Sequence, residues 1–343
     1  MKAMVLCAGL GTRLRPLTNT WAKPAMPLLA GPLVRYSFAT LQRAGITKIG
    51  INTHHLPEVM EATARAELPD LAVSHENGEI QGTGGGIRGL QKFLSDDDFV
   101  VLNGDVLFAV DLKPVIEAHQ ASGAAATMVL LPMPEGEKYN AVELDDARHV
   151  RRIAGLGPGG GSGKLSGWHF TGVHVMTPKV FDFMAPSGPE DINRDVYVKM
   201  IERGLTVRGH VLEQKNVYWS DLGTPQRYLT THEHLLFGQV PQDVFGTRGP
   251  FSEHARIDGL NGWKHPSAKL HDDVKFAGPA FFGAGCEVEA GVRLGAAVSI
   301  GANARVGQGA RLNRVAVLPG ASVPANASLS DVIISATDVV KRD

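Results

Sequence analysis

The chain has 343 residues, 43% of them hydrophobic and 20% charged, with a formal net charge of −1. That balance is ordinary for a globular protein, and it excludes any general attraction to nucleic acid or to an anionic membrane. The two cysteines, Cys7 and Cys286, lie far apart in apolar or small-residue stretches, which excludes a disulfide framework and fits a reducing compartment.

No stretch reaches the roughly 18–20 apolar residues that a membrane span needs. The opening MKAMVLCAGLG breaks at glycine before an apolar leader of secretory length develops. The expectation is a soluble, cytoplasmic protein, long enough for two domains.

Residues 1–8 read as a buried strand with a sharp exit at Gly9 and Gly11. The segment GLGTRLRPLT (9–18) follows, then Lys23. LVRYSFATLQRA (33–44) has helical spacing and a stop at Gly45. ITKIGINTHH reads as a strand, PEVMEATARAEL as a helix opened by Pro57, and LAVSHEN as a strand. GTGGGIRGLQKFL is a glycine turn running into a helix. DFVVLNGDVLF is a buried strand, LKPVIEAHQAS a helix and AAATMVLLPM a strand. Such alternation with short links predicts a mostly parallel sheet covered by helices. Residues 139–176 are richer in strands, with GPGGGSGK as a loop between two of them. A helical stretch near 190–203, the strand LTVRGHVLE and a long helix ending VYWSDLGTPQRYLTTHEHLL complete this part.

Beyond a breaker-rich stretch near 240–255, every sixth residue from Phe276 is apolar: Phe276, Phe282, Val288, Leu294, Ile300, Val306, Leu312 and Leu318. At a 43% apolar fraction, eight such matches arise by chance about once in a thousand. A six-residue period with small residues between predicts a parallel β-helix.

GLGTRLRPLT suits a triphosphate for physical reasons. Gly9 and Gly11 let the backbone approach phosphate oxygens, Arg13 offers a planar fork of donors, and Lys23 adds a mobile charge. This segment fits neither GxxxxGK[ST] nor GxGxxG, since position 14 is leucine. Asp105 in VLNGDV follows a buried strand, and Asp221 in WSDLGT precedes a glycine turn. Two such carboxylates meet the needs of Mg²⁺ beside phosphate.

GLGTRLRPLT, the Lys-Pro of AKPAMPL, QGTGGGI, VLNGDV, FTGVHVM and YWSDLGTPQRYL stand in this order, and together they resemble the sugar-1-phosphate nucleotidylyltransferases. The resemblance covers roughly residues 1–237. The repeats are similar to the left-handed β-helix tail of many mannose-1-phosphate guanylyltransferases and glucose-1-phosphate adenylyltransferases. Segments 82–87, LNGDV and FTGVHVM also resemble N-acetylmuramate-1-phosphate uridylyltransferases, which generally lack that tail. The resemblance implies an α/β fold. A Rossmann-like, mostly parallel nucleotidyltransferase domain over 1–240 is followed by a linker over 241–255 and a left-handed β-helix over 256–343.

It also implies roles. Leu10, Gly11 and Thr12 with Arg13 hold the β- and γ-phosphates, and Lys23 neutralises the α-phosphate as the sugar phosphate attacks. Glu76, Gln81, Gly82 and Thr83, with Asn77 as a further candidate, carry base recognition, and Asn103 and Gly104 lie against the nucleotide. Glu143, Thr171 and Gly172 face the sugar, and Asp105 and Asp221 hold Mg²⁺. The implied partners are a nucleoside triphosphate and a sugar-1-phosphate, with no nucleic acid or membrane, in a homo-oligomer built through the β-helix. Guanylyl transfer to mannose-1-phosphate is the leading reading. A uridylyltransferase acting on N-acetylmuramate-1-phosphate or a hexose-1-phosphate is the alternative.

Two departures concern the sugar. The family's Glu-Lys-Pro segment reads RRIAGLG here, so Arg151, Arg152 or Lys164 are the available replacements for its lysine. The family's Tyr-Gly reads Tyr139-Asn140, leading to Glu143. A regulatory or scaffolding relative is disfavoured because Arg13, Lys23, Asp105 and Asp221 are all intact. An acyltransferase is disfavoured because residues 276–335 contain no histidine. His232 and His234 lie about 200° apart on a helix, so they do not form a zinc pair. Asp96–Asp98 read as a solvated loop, and Trp219 as packing.

Overall fold

The structure, a computed structural model, describes residues 1–137, 139–161, 163–213, 215–257 and 262–342. Two compact units form, Met1–Leu10 with Thr40–Trp219 and Gly11–Ala39 with Ser220–Asp343. Among the described residues no helix is long and apolar enough to cross a membrane.

The first unit is built in chain order from β1 (Lys2–Leu6), the end of α1 (Leu33–Arg43), β2 (Ile49–Thr53), α2 (Pro57–Glu67), β3 (Leu71–His75) and α3 (Gly82–Gly89). It continues through β4 (Phe99–Asn103), α4 (Lys113–Ser122), β5 (Ala126–Leu131), β6 (Val142–Leu144), β7 (Val150–Ile153), β8 (Ser166–Met176) and β9 (Val207–Val211). The strands order as β7-β6-β8-β4-β1-β2-β3, with β5 beside β8 and β9 beside β5. β1 runs parallel to β2 and β4, and β2 to β3. β8 is antiparallel to β4, β5 and β6. The expected mostly parallel α/β sheet is therefore present. The central strands are apolar on both faces because helices cover both: Ala3–Val5, Ile49 and Ile51, and Phe99–Val101 are fully buried.

Two local expectations change. The strand read as DFVVLNGDVLF is two strands, because the chain turns at Gly104-Asp105 before resuming at Val106–Ala109. The helical stretch near 190–203 opens with a wide turn over Ile192–Tyr197, capped where Asp191 accepts the Asn193 and Arg194 amides at 2.9 Å each.

The second unit contains α5 (Pro225–Leu236) and a parallel β-helix. Thr224 caps α5, accepting the Arg227 amide at 3.3 Å. Each coil carries three short strands. Phe282 stacks on Ile300, Val288 on Val306, and Leu294 on Leu312, a coil of 18 residues. The six-residue spacing then shortens to five between Leu312 and Val317 and again between Leu329 and Ile334: Ile300 pairs with Val317, not with Leu318, and Val317 pairs with Ile334. The corner over Asn313-Arg314 is one residue shorter than that over Gly295–Ala297. Arg314, at φ 51, and Asp331, at φ 57, stack in the shortened corners and bond through two contacts of 2.6 Å. Arg342 ties the corner to α5, 2.8 Å from Glu233 and 3.0 Å from Thr230.

Each unit holds a buried neutral histidine. Burial lowers the His174 pKa to about 3 and that of His232 to about 4. Their unfolded counterparts bind a proton near pH 6.5. As pH falls from there, the unfolded chain takes up protons that the folded chain refuses, so stability drops towards pH 4 and below. The thermal midpoint is expected to fall across that window. His232→Gln, which can still donate to the Tyr228 carbonyl, should fall less steeply; parallel curves would contradict the assignment.

Candidate active site

The parallel strands β1, β2, β3 and β4 end together along one edge of the sheet in the first unit, the usual place for a ligand in an open α/β fold. There the Cys7 amide donates to Asn52 Oδ1 at 2.8 Å. Asn52 Nδ2 donates to Glu76 Oε1 at 2.6 Å, and the Gln81 amide donates to Glu76 Oε2 at 2.8 Å. Both Glu76 oxygens thus tie the strand ends to the entry of α3. Asn52 carries no motif signal in INTHH, and sequence reasoning missed it.

Gly82 sits at φ +69, and a Cβ there would lie 2.7 Å from the Glu190 carbonyl. That carbonyl accepts the Gly84 and Gly85 amides at 2.8 and 3.3 Å. The Thr83 hydroxyl accepts the Ile192 amide at 2.9 Å. The glycine run of QGTGGG therefore lets segment 188–192 close on the start of α3.

Gly104 packs its backbone on Leu6, donating to its carbonyl at 2.9 Å. Burial and the negative charge of Asp105 together push the Cys7 thiol pKa up, which places that carboxylate close to the end of β1. Across β4, β8 carries a bulge at Thr171–Val173: Phe170 pairs with Leu130 and His174 with Met128. Thr171 Oγ1 donates to the Val129 carbonyl, 2.8 Å away, that the bulge leaves open. Gly172, at φ +86, packs on Asn103, where a Cβ would stand 2.8 Å from the side-chain amide. Trp219 Nε1 donates to the Thr171 carbonyl at 2.8 Å. Thr171→Val orphans the Val129 carbonyl and is expected to cost about 1–3 kcal/mol in urea unfolding. No loss would mean that the bulge does not depend on that bond.

A cavity of about 290 Å³ is lined by Tyr139, Asn140, Ala154, His169 and Arg194, among others. The Tyr139 and Trp219 rings lie 4.3 and 4.4 Å from His169. Of the replacements for the missing lysine, Arg151 is held on Asp145 Oδ2 at 2.7 Å, and Arg152 lies 3.7 Å from Glu143. Arg194, which had no sequence signal, is the arginine in the cavity wall. Leu10, the last residue of this part, is 40% exposed.

In the second unit, Gly11 adopts φ +61 at the start of the turn Thr12–Leu14. Its carbonyl accepts the Thr18 hydroxyl at 2.8 Å. A Cβ on Gly11 would lie 2.9 Å from Thr18 and 3.4 Å from Lys23, so the glycine brings the loop onto the lysine. Lys23 is only 5% exposed. Asp221 Oδ1 accepts the Gly223 amide at 2.8 Å, and Oδ2 meets Arg227 at 2.6 Å. A Cβ on Gly223 would come within 2.6 Å of both the Arg13 guanidinium and Asp221 Oδ1. The structure therefore gathers Gly11, Arg13, Lys23 and Asp221 around two glycine turns.

A sequence model of the nucleotidyl transferase family matches residues 2–237, well over half of the chain. The chain belongs to the nucleotidyl transferase family. It is an enzyme of nucleotidyl transfer. This nucleotidyl transferase is 28% identical over 313 residues to the UTP–glucose-1-phosphate uridylyltransferase of Synechocystis sp., covering 83% of this chain and 79% of the relative. It is 28% identical over 289 residues to the mannose-1-phosphate guanylyltransferase of Mycobacterium tuberculosis, covering 83% and 76%. Among solved structures, a putative glucose-1-phosphate thymidylyltransferase from Bacillus anthracis overlays with a TM-score of 0.55 at 23% identity, over 67% of this chain and 93% of that one. That overlay supports the fold.

Proposed function

We propose that this nucleotidyl transferase makes a nucleotide-diphosphate sugar, joining the nucleoside monophosphate part of a triphosphate to a sugar-1-phosphate and releasing pyrophosphate. The gathering of Gly11, Arg13, Lys23 and Asp221 carries the reading, with the family match over 2–237. The attacking sugar phosphate is already an anion, so no strong general base is required. Catalysis rests on alignment and on neutralising charge. The backbone of Leu10, Gly11 and Thr12 and the fork of Arg13 hold the β- and γ-phosphates. Lys23 follows the α-phosphate through the in-line displacement, where reduced exposure to water strengthens the attraction between its charge and the phosphate. Glu76 acts by fixing the turn that carries Asn77, Gln81, Gly82 and Thr83 towards the base, and Asn103 and Gly104 border the nucleotide. Glu143, Thr171 and Gly172 border the sugar, and Arg194 stands in for the missing lysine.

Among the described residues no group of three or more His, Cys, Asp or Glu side chains forms a metal cage. Mg²⁺ needs none, since it takes one or two carboxylates and completes its shell with phosphate and water. The hard oxygens of Asp105 and Asp221 fit it. Bound there, it would neutralise phosphate charge.

Guanylyl transfer to mannose-1-phosphate is the preferred reaction. The guanylyltransferase relative and the β-helix support it. The long alignment with a uridylyltransferase keeps uridylyl transfer as the second reading. We further read 1–240 as the catalytic part, 241–255 as a linker and 256–343 as the part through which copies associate. Running the reaction backwards separates the two bases. With pyrophosphate, GDP-mannose should yield GTP faster than UDP-glucose yields UTP, and the reverse order would overturn the guanylyl assignment.

A further inference from the structure

A groove of about 400 Å³ lies between α4 and the edge strand β9. β9 has two unlike faces. On one, Gly209 packs so tightly that a Cβ would stand 2.5 Å from Leu144 and 2.7 Å from Leu130. On the other, Arg208 and His210 line the groove, with Arg208 in register with Thr127 of β5. The α4 wall is Ala118, Ala121 and Ser122, and the small residues leave the groove open. Thr127 is also in register with Val175, which pairs with Val100 near the start of β4. The groove therefore sits at the opposite end of the strands from Asn103.

A second arginine enters from the turn before β7. The Asp145 carboxylate accepts the Ala147 and His149 amides at 3.0 Å each, and so fixes that turn. Arg148 is held there at φ 63, and its carbonyl accepts the Gly209 amide at 2.9 Å. Among the described residues neither Arg148 nor Arg208 forms an ion pair. The Arg148 guanidinium lies 5.4 Å from the Trp168 ring centre, while Asp145 is taken by Arg151 at 2.7 Å. Burial first, then the charges of Arg148 and Arg208, lower the His210 pKa, so both guanidiniums act on the imidazole.

Two guanidiniums without an ion pair and a histidine converge on one groove, and among the described residues no acid lines it. Guanidinium forks match the oxygens of a phosphate dianion, and a bound dianion would relieve the repulsion between the two arginines. We propose that this groove is a second anion site, apart from the catalytic residues, and that Arg148, Arg208 and His210 bind a phosphate monoester in it.

The test follows His210 by NMR in the full chain with labelled histidine, its signal assigned by loss in His210→Gln. Glycerol phosphate and inorganic phosphate are titrated against chloride at matched ionic strength. A saturable shift of the His210 signal with a raised pKa is expected, stronger for glycerol phosphate. Arg148→Gln with Arg208→Gln should weaken it by about tenfold or more, roughly 1.4 kcal/mol. Turnover of that variant at saturating substrate shows that it is folded. A signal that moves no more than with chloride overturns the site. So does a shift that the double variant leaves unaltered. Binding of inorganic phosphate without the ester overturns its assignment to a monoester.

Discussion

Replacing Arg13 with alanine is expected to lower turnover by roughly 10²- to 10³-fold, the loss typical of removing one preorganised charge from a transition state. The side chain is exposed, and its neighbourhood is Asp221 and Gly223, not the apolar core. The unfolding midpoint should therefore change little. Arg13→Lys should recover only part of the activity, because a point charge cannot reproduce a two-pronged grip on phosphate. An Arg13→Ala protein with unchanged turnover would remove Arg13 from the phosphate site. Asp105→Ala applies the same logic to the metal: unchanged turnover in the folded variant would remove that ligand.

Gly82→Ala is expected to cost about 2–4 kcal/mol of stability, combining a left-handed backbone with overpacking. The new methyl would press on a backbone carbonyl 2.7 Å away, and a backbone atom cannot swing aside as a side chain can. The carbonyl it displaces is the one that holds the Gly84 and Gly85 amides. Gly78→Ala is the control. Gly78 also has a positive φ, +81, but nothing lies within 4 Å of its Cβ position. Gly78→Ala should cost only about 1 kcal/mol. Equal losses in the two variants would show that φ, not the contact with Glu190, decides the effect.

The alternation of apolar runs and helical spacing made the sheet legible, because strands buried on both faces leave continuous apolar sequence. The coil was legible for a similar reason: one inward residue per short strand repeats visibly. Its break at Val317 was not, since Val317 and Leu318 are both apolar and only the shortened corner at Asn313-Arg314 decides between them. At the site, Gly11, Arg13, Lys23 and Asp221 stood out because glycines and charges are conspicuous beside strand ends. Asn52 and Arg194 did not, because their roles depend on contacts between segments distant in sequence. Thr171 and Gly172 were visible as a motif. What brings them to Asn103 is a bulge, and because it adds two residues the alternation of inward and outward positions stays in phase on either side, so the apolar pattern does not betray it.

The central claim is nucleotidyl transfer to a sugar phosphate. It is tested most directly by incubating the protein and Mg²⁺ with each nucleoside triphosphate against a set of sugar-1-phosphates and reading pyrophosphate release. Release should require both substrates and be greatest for GTP with mannose-1-phosphate. Absence of release with every pair would contradict the claim.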